Sequence, residues 1–279
     1  MDDFQIGVVS VLGVGPQSEG RAHNEDNYLV CQNGVVRFRD GTGEKELTHD
    51  GNGVLLAVAD GMGGHHHGAL ASAAAVQALS RLFYRSRPVY PESTLHSFVM
   101  QGHRKLRQRV QQSSMEGLGT TLAAVWVLNY SAYWIHVGDS RIYLCRGGEL
   151  SQLSRDHTHE EFARRDGRDA TDHPHALAQS FIFGSRGLGC DADVRIDAGT
   201  DTGQEMLLEG DVLLLCTDGL TGVLSQRRIA ATLNALSDPD ECAQQLVEQA
   251  MAAGSKDNIT AVVMRVMHSP HELDTITLW

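Results

Sequence analysis

Four aspartates in this sequence share one context. Asp60 follows the apolar run Val54–Ala59 and precedes Gly61. Asp139 follows Tyr133–Gly138, Asp218 follows Val212–Thr217 and precedes Gly219, and Asp257 lies just before Ile259–Met267. Each sits at an end of a stretch apolar enough to be a strand buried on both faces. One aspartate before a glycine reads as a helix cap or a tight turn. The repeated context reads differently. In antiparallel sheets strand exits and entries alternate along an edge, so three exits and one entry gather the carboxylates at one rim. Like charges that close repel and raise one another's pKa, and bound divalent cations remove that penalty. Every donor in the cluster is an oxygen, with no thiolate or imidazole, which favours Mg²⁺ or Mn²⁺ over zinc.

Two such ions side by side make a phosphoester-hydrolysing centre. They activate a water, orient it in line and neutralise phosphate charge. The Gly61 carbonyl is an additional candidate ligand, because glycine leaves the backbone accessible. The dense polar cluster Gly20-Arg21-Ala22-His23-Asn24-Glu25-Asp26-Asn27 supplies the remaining chemistry. Arg21 is the candidate clamp on phosphate oxygens. Glu25 and Asp26 are candidates to orient waters around the ions.

The elements that must position these groups follow from patterning. Strands are expected at 4–14, 28–31, 54–59, 118–128, 132–137, 142–145, 149–153, 212–216 and 259–267, with a hairpin over 33–53. Helices are expected over 68–85 and 93–112, from a Ser225 cap to Leu236, and from an Asp238 cap with Pro239 in the first turn to near Gly254. Short turns between the strands of 118–153 predict an antiparallel meander. The polar stretch 155–203 reads as a long loop or flap with one short helix.

The chain has 279 residues, with 23 Lys+Arg against 35 Asp+Glu and a net charge of −12. That surplus of carboxylates disfavours nucleic acid or an anionic membrane as partner. One domain over 1–279 is the expectation, with a poorly patterned tail at 268–279. The five cysteines, Cys31, Cys145, Cys190, Cys216 and Cys242, are far apart and odd in number, as expected of reduced thiols in a cytoplasmic protein. No signal peptide or membrane-length apolar run is visible.

Six ordered motifs, together, resemble the metal-dependent protein phosphatases of the 2C (PPM) type in their bacterial form. They are Arg21-x-x-Asn24-Glu25-Asp26, Ala59-Asp60-Gly61-Met62-Gly63-Gly64-His65, Gly119-Thr120-Thr121, Val137-Gly138-Asp139-Ser140-Arg141-x-Tyr143, Cys216-Thr217-Asp218-Gly219-Leu220 and Asp257-Asn258-Ile259-Thr260. The resemblance implies an α+β fold, a four-layer α-β-β-α sandwich of two antiparallel sheets flanked by helices. It implies hydrolysis of phosphoserine and phosphothreonine by direct attack of a metal-bridging water or hydroxide, with no phosphoenzyme, opposing a bacterial Ser/Thr kinase.

Carried over by position, Asp60 bridges two core Mn²⁺ or Mg²⁺ ions. The Gly61 carbonyl binds the second, and Asp218 and Asp257 bind the first. Asp139 with Asp218 forms a weaker third site. Residues 155–190 become the flap, with Asp156-His157-Thr158 at its base. Met62 stands where many eukaryotic members carry a histidine proposed as general acid, which leaves leaving-group protonation to a bound water or to His65. Gly68-Ala69 stands where the family often has Gly-Glu. His65-His66-His67 and His173-Pro174-His175 read as exposed histidines. Monomer is the default oligomeric state. Two other readings share the motifs: a non-catalytic module that captures a phosphoprotein, and a two-metal hydrolase of small or nucleotide phosphoesters.

Overall fold

A computed structural model describes residues 3–13, 23–39, 44–48, 53–62, 67–111, 118–165, 167, 177 and 201–270. Two antiparallel sheets pack face to face. The first contains β1 (Phe4–Val11), β10 (Arg141–Arg146), β11 (Glu149–Gln152), β13 (Val212–Cys216) and β14 (Ile259–Val266), in the order β1-β14-β13-β10-β11. The second contains β2 (Asn27–Gln32), β3 (Val35–Arg39), β4 (Glu44–Thr48), β5 (Val54–Ala59), β8 (Leu122–Leu128), β9 (Ser131–Val137) and β12 (Asp201–Met206), in the order β12-β9-β8-β5-β2-β3-β4. A two-residue ribbon pairs β6 (Gly61–Met62) with β7 (Gly119–Thr120).

Helices cover both outer faces. Helices α1 (His67–Arg85) and α2 (Pro91–Gln111) lie on the second sheet. Helices α4 (Asp218–Thr221), α5 (Gln226–Ala235) and α6 (Pro239–Ala252) lie on the first, and α3 (His159–Arg165) follows the strap after β11. This is the expected four-layer sandwich.

The apolar runs lack polar alternation because both strand faces are buried. In β5, Leu55, Ala57 and Ala59 face α1 and α2, while Val54, Leu56 and Val58 face the other sheet. In β14, Val262 and Met264 enter the inter-sheet core and Ile259, Ala261 and Val263 face the helices. Helix α5 begins where the Ser225 side chain accepts from the Arg228 N–H. Helix α6 begins where Asp238 accepts from the Asp240 and Glu241 N–H groups, with Pro239 in its first turn.

Several expectations are corrected. The meander over 118–153 is broken: β8 and β9 form a hairpin in one sheet, but β10 joins the other. The chain changes sheets at Gly138–Ser140. The run 118–128 splits at Thr121 into β7 and β8, and β1 stops at Val11 rather than residue 14. Strand β12 begins at the end of the stretch read as loop and continues past it. Its sequence, Asp201-Thr-Gly-Gln-Glu-Met, is polar because it is a partly exposed edge strand paired only to β9. Among the described residues, no helix is long and apolar enough to cross a membrane. Cys31, Cys145, Cys216 and Cys242 are buried free thiols. Cys190, Arg21, Gly63, Gly64, His65, His66, His173, His175, most of the expected flap and the tail from 271 lie outside the described residues.

Candidate metal centre

The strand registers put every candidate carboxylate at one rim. Asn27 pairs with Ala59, so β2 begins where β5 ends and Glu25-Asp26 lie beside Asp60. Strand β8 runs antiparallel to both β5 and β9, so Asp60 and Asp139 leave the second sheet on the same side. Cys216 pairs with Ala261, so Asp218 leaves β13 where Asp257 precedes β14. The gathering crosses the sandwich. Asp60 and Asp139 come from one sheet, Asp218 and Asp257 from the other.

Asp60 is no helix cap. After it the chain enters β6 and not a helix, and the Gly-Thr-Thr motif grips its peptide. The Asp60 N–H donates to Thr121 Oγ1 at 2.8 Å. Its carbonyl accepts from the Thr121 N–H and the Thr120 hydroxyl, both at 2.8 Å. Gly61 and Gly68 meet backbone to backbone, and a Cβ on Gly61 would collide with the Gly68 carbonyl. Close approach of α1 therefore demands glycine here. Met62 is half-buried and pairs with Gly119.

Asp218 is the first residue of α4, with Thr217 before it as cap residue. The Ser255 hydroxyl donates to the Gly219 carbonyl at 2.7 Å and ties α4 to the loop carrying Asp257. An open cavity of about 320 Å³ is lined by Asp218, Gly219, Gly222, Ser255, Lys256 and Asp257, among others.

The N-terminal cluster docks on this rim. The Glu25 N–H donates to Asn258 Oδ1 at 2.8 Å, and the Glu25 carbonyl accepts from the Ser72 hydroxyl of α1 at 2.6 Å. Asp26 is buried, and its Oδ2 accepts from the hydroxyls of Thr217 and Thr260, each at 2.7 Å. Its Oδ1 is buried with no hydrogen-bond partner among the described residues.

Electrostatics sharpen the picture. Burial, then the charges of Asp26, Asp218, Asp139 and Asp257, hold the Asp60 carboxyl well above the usual carboxylate range. Asp26 is pushed up to about 7 by burial, against the two threonine hydroxyls and with help from Asp218 and Asp257. Asp139 is also pushed up to about 7, by burial and then by Asp218 and Asp156, with Arg141 pulling the other way. Such a cluster is costly unless positive charge enters it. Among the described residues, no three carboxylate, imidazole or thiolate groups form a ready-made metal cluster. Hard cations such as Mg²⁺ take one or two carboxylates and fill the remaining positions with water and substrate oxygens. The unpartnered Asp26 Oδ1 is an acceptor of the kind that orients such waters. The donor set thus fits Mg²⁺ or Mn²⁺.

The model of the protein phosphatase 2C family matches residues 39–263. The chain belongs to that family. It is 34% identical over 216 residues to the serine/threonine protein phosphatase PstP of Mycobacterium tuberculosis. That alignment takes in 76% of this chain but only 40% of the length of the mycobacterial protein. It is 29% identical over 253 residues to the serine/threonine phosphatase stp of Listeria welshimeri, covering 88% of this chain and 90% of the relative. Among solved structures, the catalytic domain of PstP in complex with two manganese ions is similar, with a TM-score of 0.72 and 29% identity over 95% of this chain and 99% of that one.

In this 2C-type chain, the motifs contain the polar scaffold under the carboxylates without showing its role. Thr121, Thr217, Thr260, Asn258 and Ser140 carry it. Their signal was a polar residue inside or beside an apolar run, as in Thr260 after Ile259 or Thr121 before Leu122.

Proposed function

We propose that the chain is a metal-dependent protein serine/threonine phosphatase, acting on phosphoserine and phosphothreonine proteins as the counterpart of a Ser/Thr kinase. The observation that carries this reading is the convergence of Asp60, Asp139, Asp218 and Asp257 from two sheets onto one rim, where burial and the neighbouring carboxylates hold the Asp60 and Asp139 carboxyls above the usual range. Family membership and the named relatives support the substrate class. We assign Asp60, the Gly61 carbonyl, Asp218 and Asp257 to two core Mn²⁺ or Mg²⁺ ions, and Asp139 with Asp218 to a weaker third. When bound, such ions activate water for in-line attack and neutralise phosphate charge.

The chain's own groups have distinct tasks. The Thr120-Thr121 grip holds the Asp60 peptide in place. Asp26, fixed by Thr217 and Thr260, presents Oδ1 as an acceptor for a proton on a nearby water. Glu25, whose backbone is held between Ser72 and Asn258, is assigned the same task. Arg21, outside the described residues, is assigned the phosphate clamp. Residues 1–279 act as one phosphatase domain, a monomer in the cytoplasm.

The test is hydrolysis of p-nitrophenyl phosphate and of a phosphothreonine peptide with Mn²⁺, with and without chelator. Turnover is expected to vanish with chelator and to fall by at least ~100-fold in Asp60→Asn and Asp218→Asn, the scale of losing a centre that both activates water and neutralises charge. Full turnover in either variant sinks the metal assignment. A higher kcat/KM on free nucleotides than on phosphopeptides sinks the substrate class.

A further inference from the structure

His157 is buried beside the metal centre, and none of the assignments above uses it. It belongs to a strap, residues 153–158, laid along the start of β10. The Leu153 N–H donates to the Ile142 carbonyl at 2.8 Å, and the Ile142 N–H donates to Ser154 Oγ at 2.9 Å. Asp156 takes three hydrogen bonds from Arg141, from Nε to Oδ1 at 2.9 Å and to Oδ2 at 3.1 Å, and from Nη2 to Oδ2 at 2.6 Å. Gln152 Nε2 adds a fourth bond to the same carboxylate at 3.0 Å. The strap is therefore bolted down immediately before His157.

His157 then brackets one residue, Gly138. Its backbone N–H donates to the Gly138 carbonyl at 2.7 Å. Its ring Nδ1 accepts from the Gly138 N–H at 3.1 Å. A ring nitrogen that accepts carries no proton, so the hydrogen-bond pattern assigns the ring proton to Nε2. The ring cannot swing away. It meets His136 edge-on at 4.9 Å between centroids and stacks on Phe162 of α3 at 5.9 Å.

Gly138 is held from the opposite side as well. Its φ is +114°, a left-handed value that a side chain strains to adopt, and a Cβ there would lie 2.7 Å from Thr121 Cγ2. Thr121 is the residue that grips Asp60, and its hydroxyl bonds to Ser140 Oγ at 2.6 Å. The crossing between sheets, Gly138–Ser140, is thus pinned by Thr121 on one side and by His157 on the other. Asp139 is its central residue.

We propose that His157 is a positioning residue for Asp139: by bonding both the N–H and the carbonyl of Gly138, it fixes the crossing turn and aims the Asp139 carboxylate at the centre it shares with Asp218. The proposal rests on the assignment of Asp139 to the weaker metal site. It links the base of the flap to occupancy of that site, because displacing the strap releases Gly138 on one side.

The test is calorimetric titration of Mn²⁺ into the metal-stripped full chain. Asp139→Asn marks the weaker class of sites by losing it. His157→Leu removes the acceptor while keeping bulk, and is expected to weaken that class by ~10-fold or more, the scale of losing an outer-shell partner, and to leave the tight class unchanged. Asparagine places its amide oxygen where Nδ1 stands and glutamine places its own where Nε2 stands. His157→Asn is therefore expected to restore the weaker class and His157→Gln to leave it weak, a comparison that holds even if the leucine variant fails to fold. Wild-type titration by His157→Leu, or equal titration by His157→Asn and His157→Gln, overturns the proposal. Wild-type titration by Asp139→Asn overturns the metal-site reading beneath it.

Discussion

Asp26→Asn tests the electrostatic account of the centre most directly. Asp26 is 3% exposed, and its pKa is raised from 3.8 to about 7. The folded chain therefore holds this proton more tightly than the unfolded chain. Folding takes up a proton between about pH 4 and pH 7, and stability falls as pH rises through that window. Moving a carboxyl from 3.8 to about 7 corresponds to roughly 4 kcal/mol against the metal-free fold once pH exceeds 7. Relaxation and water penetration around the buried group reduce this, and about 2 kcal/mol is the working figure. The asparagine keeps an acceptor for Thr217 and Thr260, both at 2.7 Å, and sets an amide N–H where Oδ1 has no partner. In chelator at pH 8 the variant should thus be more stable, with Tm raised by roughly 4–8 °C at 2–4 °C per kcal/mol. The gain should shrink as pH falls toward 4 and vanish below it, where the wild-type carboxyl is protonated in both states. With saturating Mn²⁺ the order should reverse, since cations stabilise the charged wild-type cluster. Scanning calorimetry of both proteins from pH 5 to pH 8, with and without metal, reads all of this. A variant that is less stable than wild type in chelator at pH 8, or a difference that ignores pH, refutes the reasoning.

Other outcomes follow from the same geometry. Mn²⁺ affinity of the weaker site should fall as pH drops below about 7, because Asp139 must release a proton to bind; a flat calorimetric profile from pH 6 to pH 8 would contradict this. Thr121→Val removes the acceptor for the Asp60 N–H and the partner of Ser140, costing about 1–3 kcal/mol and lowering kcat, while Thr121→Ser retains both. Gly61→Ala should destabilise by several kcal/mol, more than a helix-interior change, because the new methyl meets the Gly68 backbone. Arg146→Ala leaves Asp211, which is 2% exposed and 2.7 Å from Arg146 Nη2, with a buried charge lacking its ion pair. It should cost about 3 kcal/mol in urea unfolding with kcat unchanged, since the pair stands apart from the rim carboxylates.

The local elements were legible because strong apolar patterning and caps carry their own physics. Val54–Ala59 and Val212–Cys216 are strands in any sheet with two covered faces, and Ser225 and Asp238-Pro239 start helices wherever the chain places them. Strand β12 and the four-residue α4 were not legible. One is polar along an exposed edge, and the other is too short for a period to show. The Gly-Thr-Thr and Asp-Asn-Ile-Thr motifs were visible as text, but their roles were not, since hydroxyls 43 residues apart such as Thr217 and Thr260 meet on one carboxylate only after folding.

By itself the sequence determined which residues could bind a hard cation and that each stands at a strand end. It placed Asp60 in its glycine turn as either a cap or a ligand. Only the tertiary structure decided that the chain changes sheets at Gly138–Ser140, so that the rim is assembled from both sheets rather than along one. It also decided that Gly61 is glycine because α1 touches it, and that Gly138 lies between Thr121 and His157. The physical reason is that residue type and periodicity act over a few residues, while the distances that turn aspartates into one electrostatic centre are set by strand pairing and sheet packing between segments far apart in the chain.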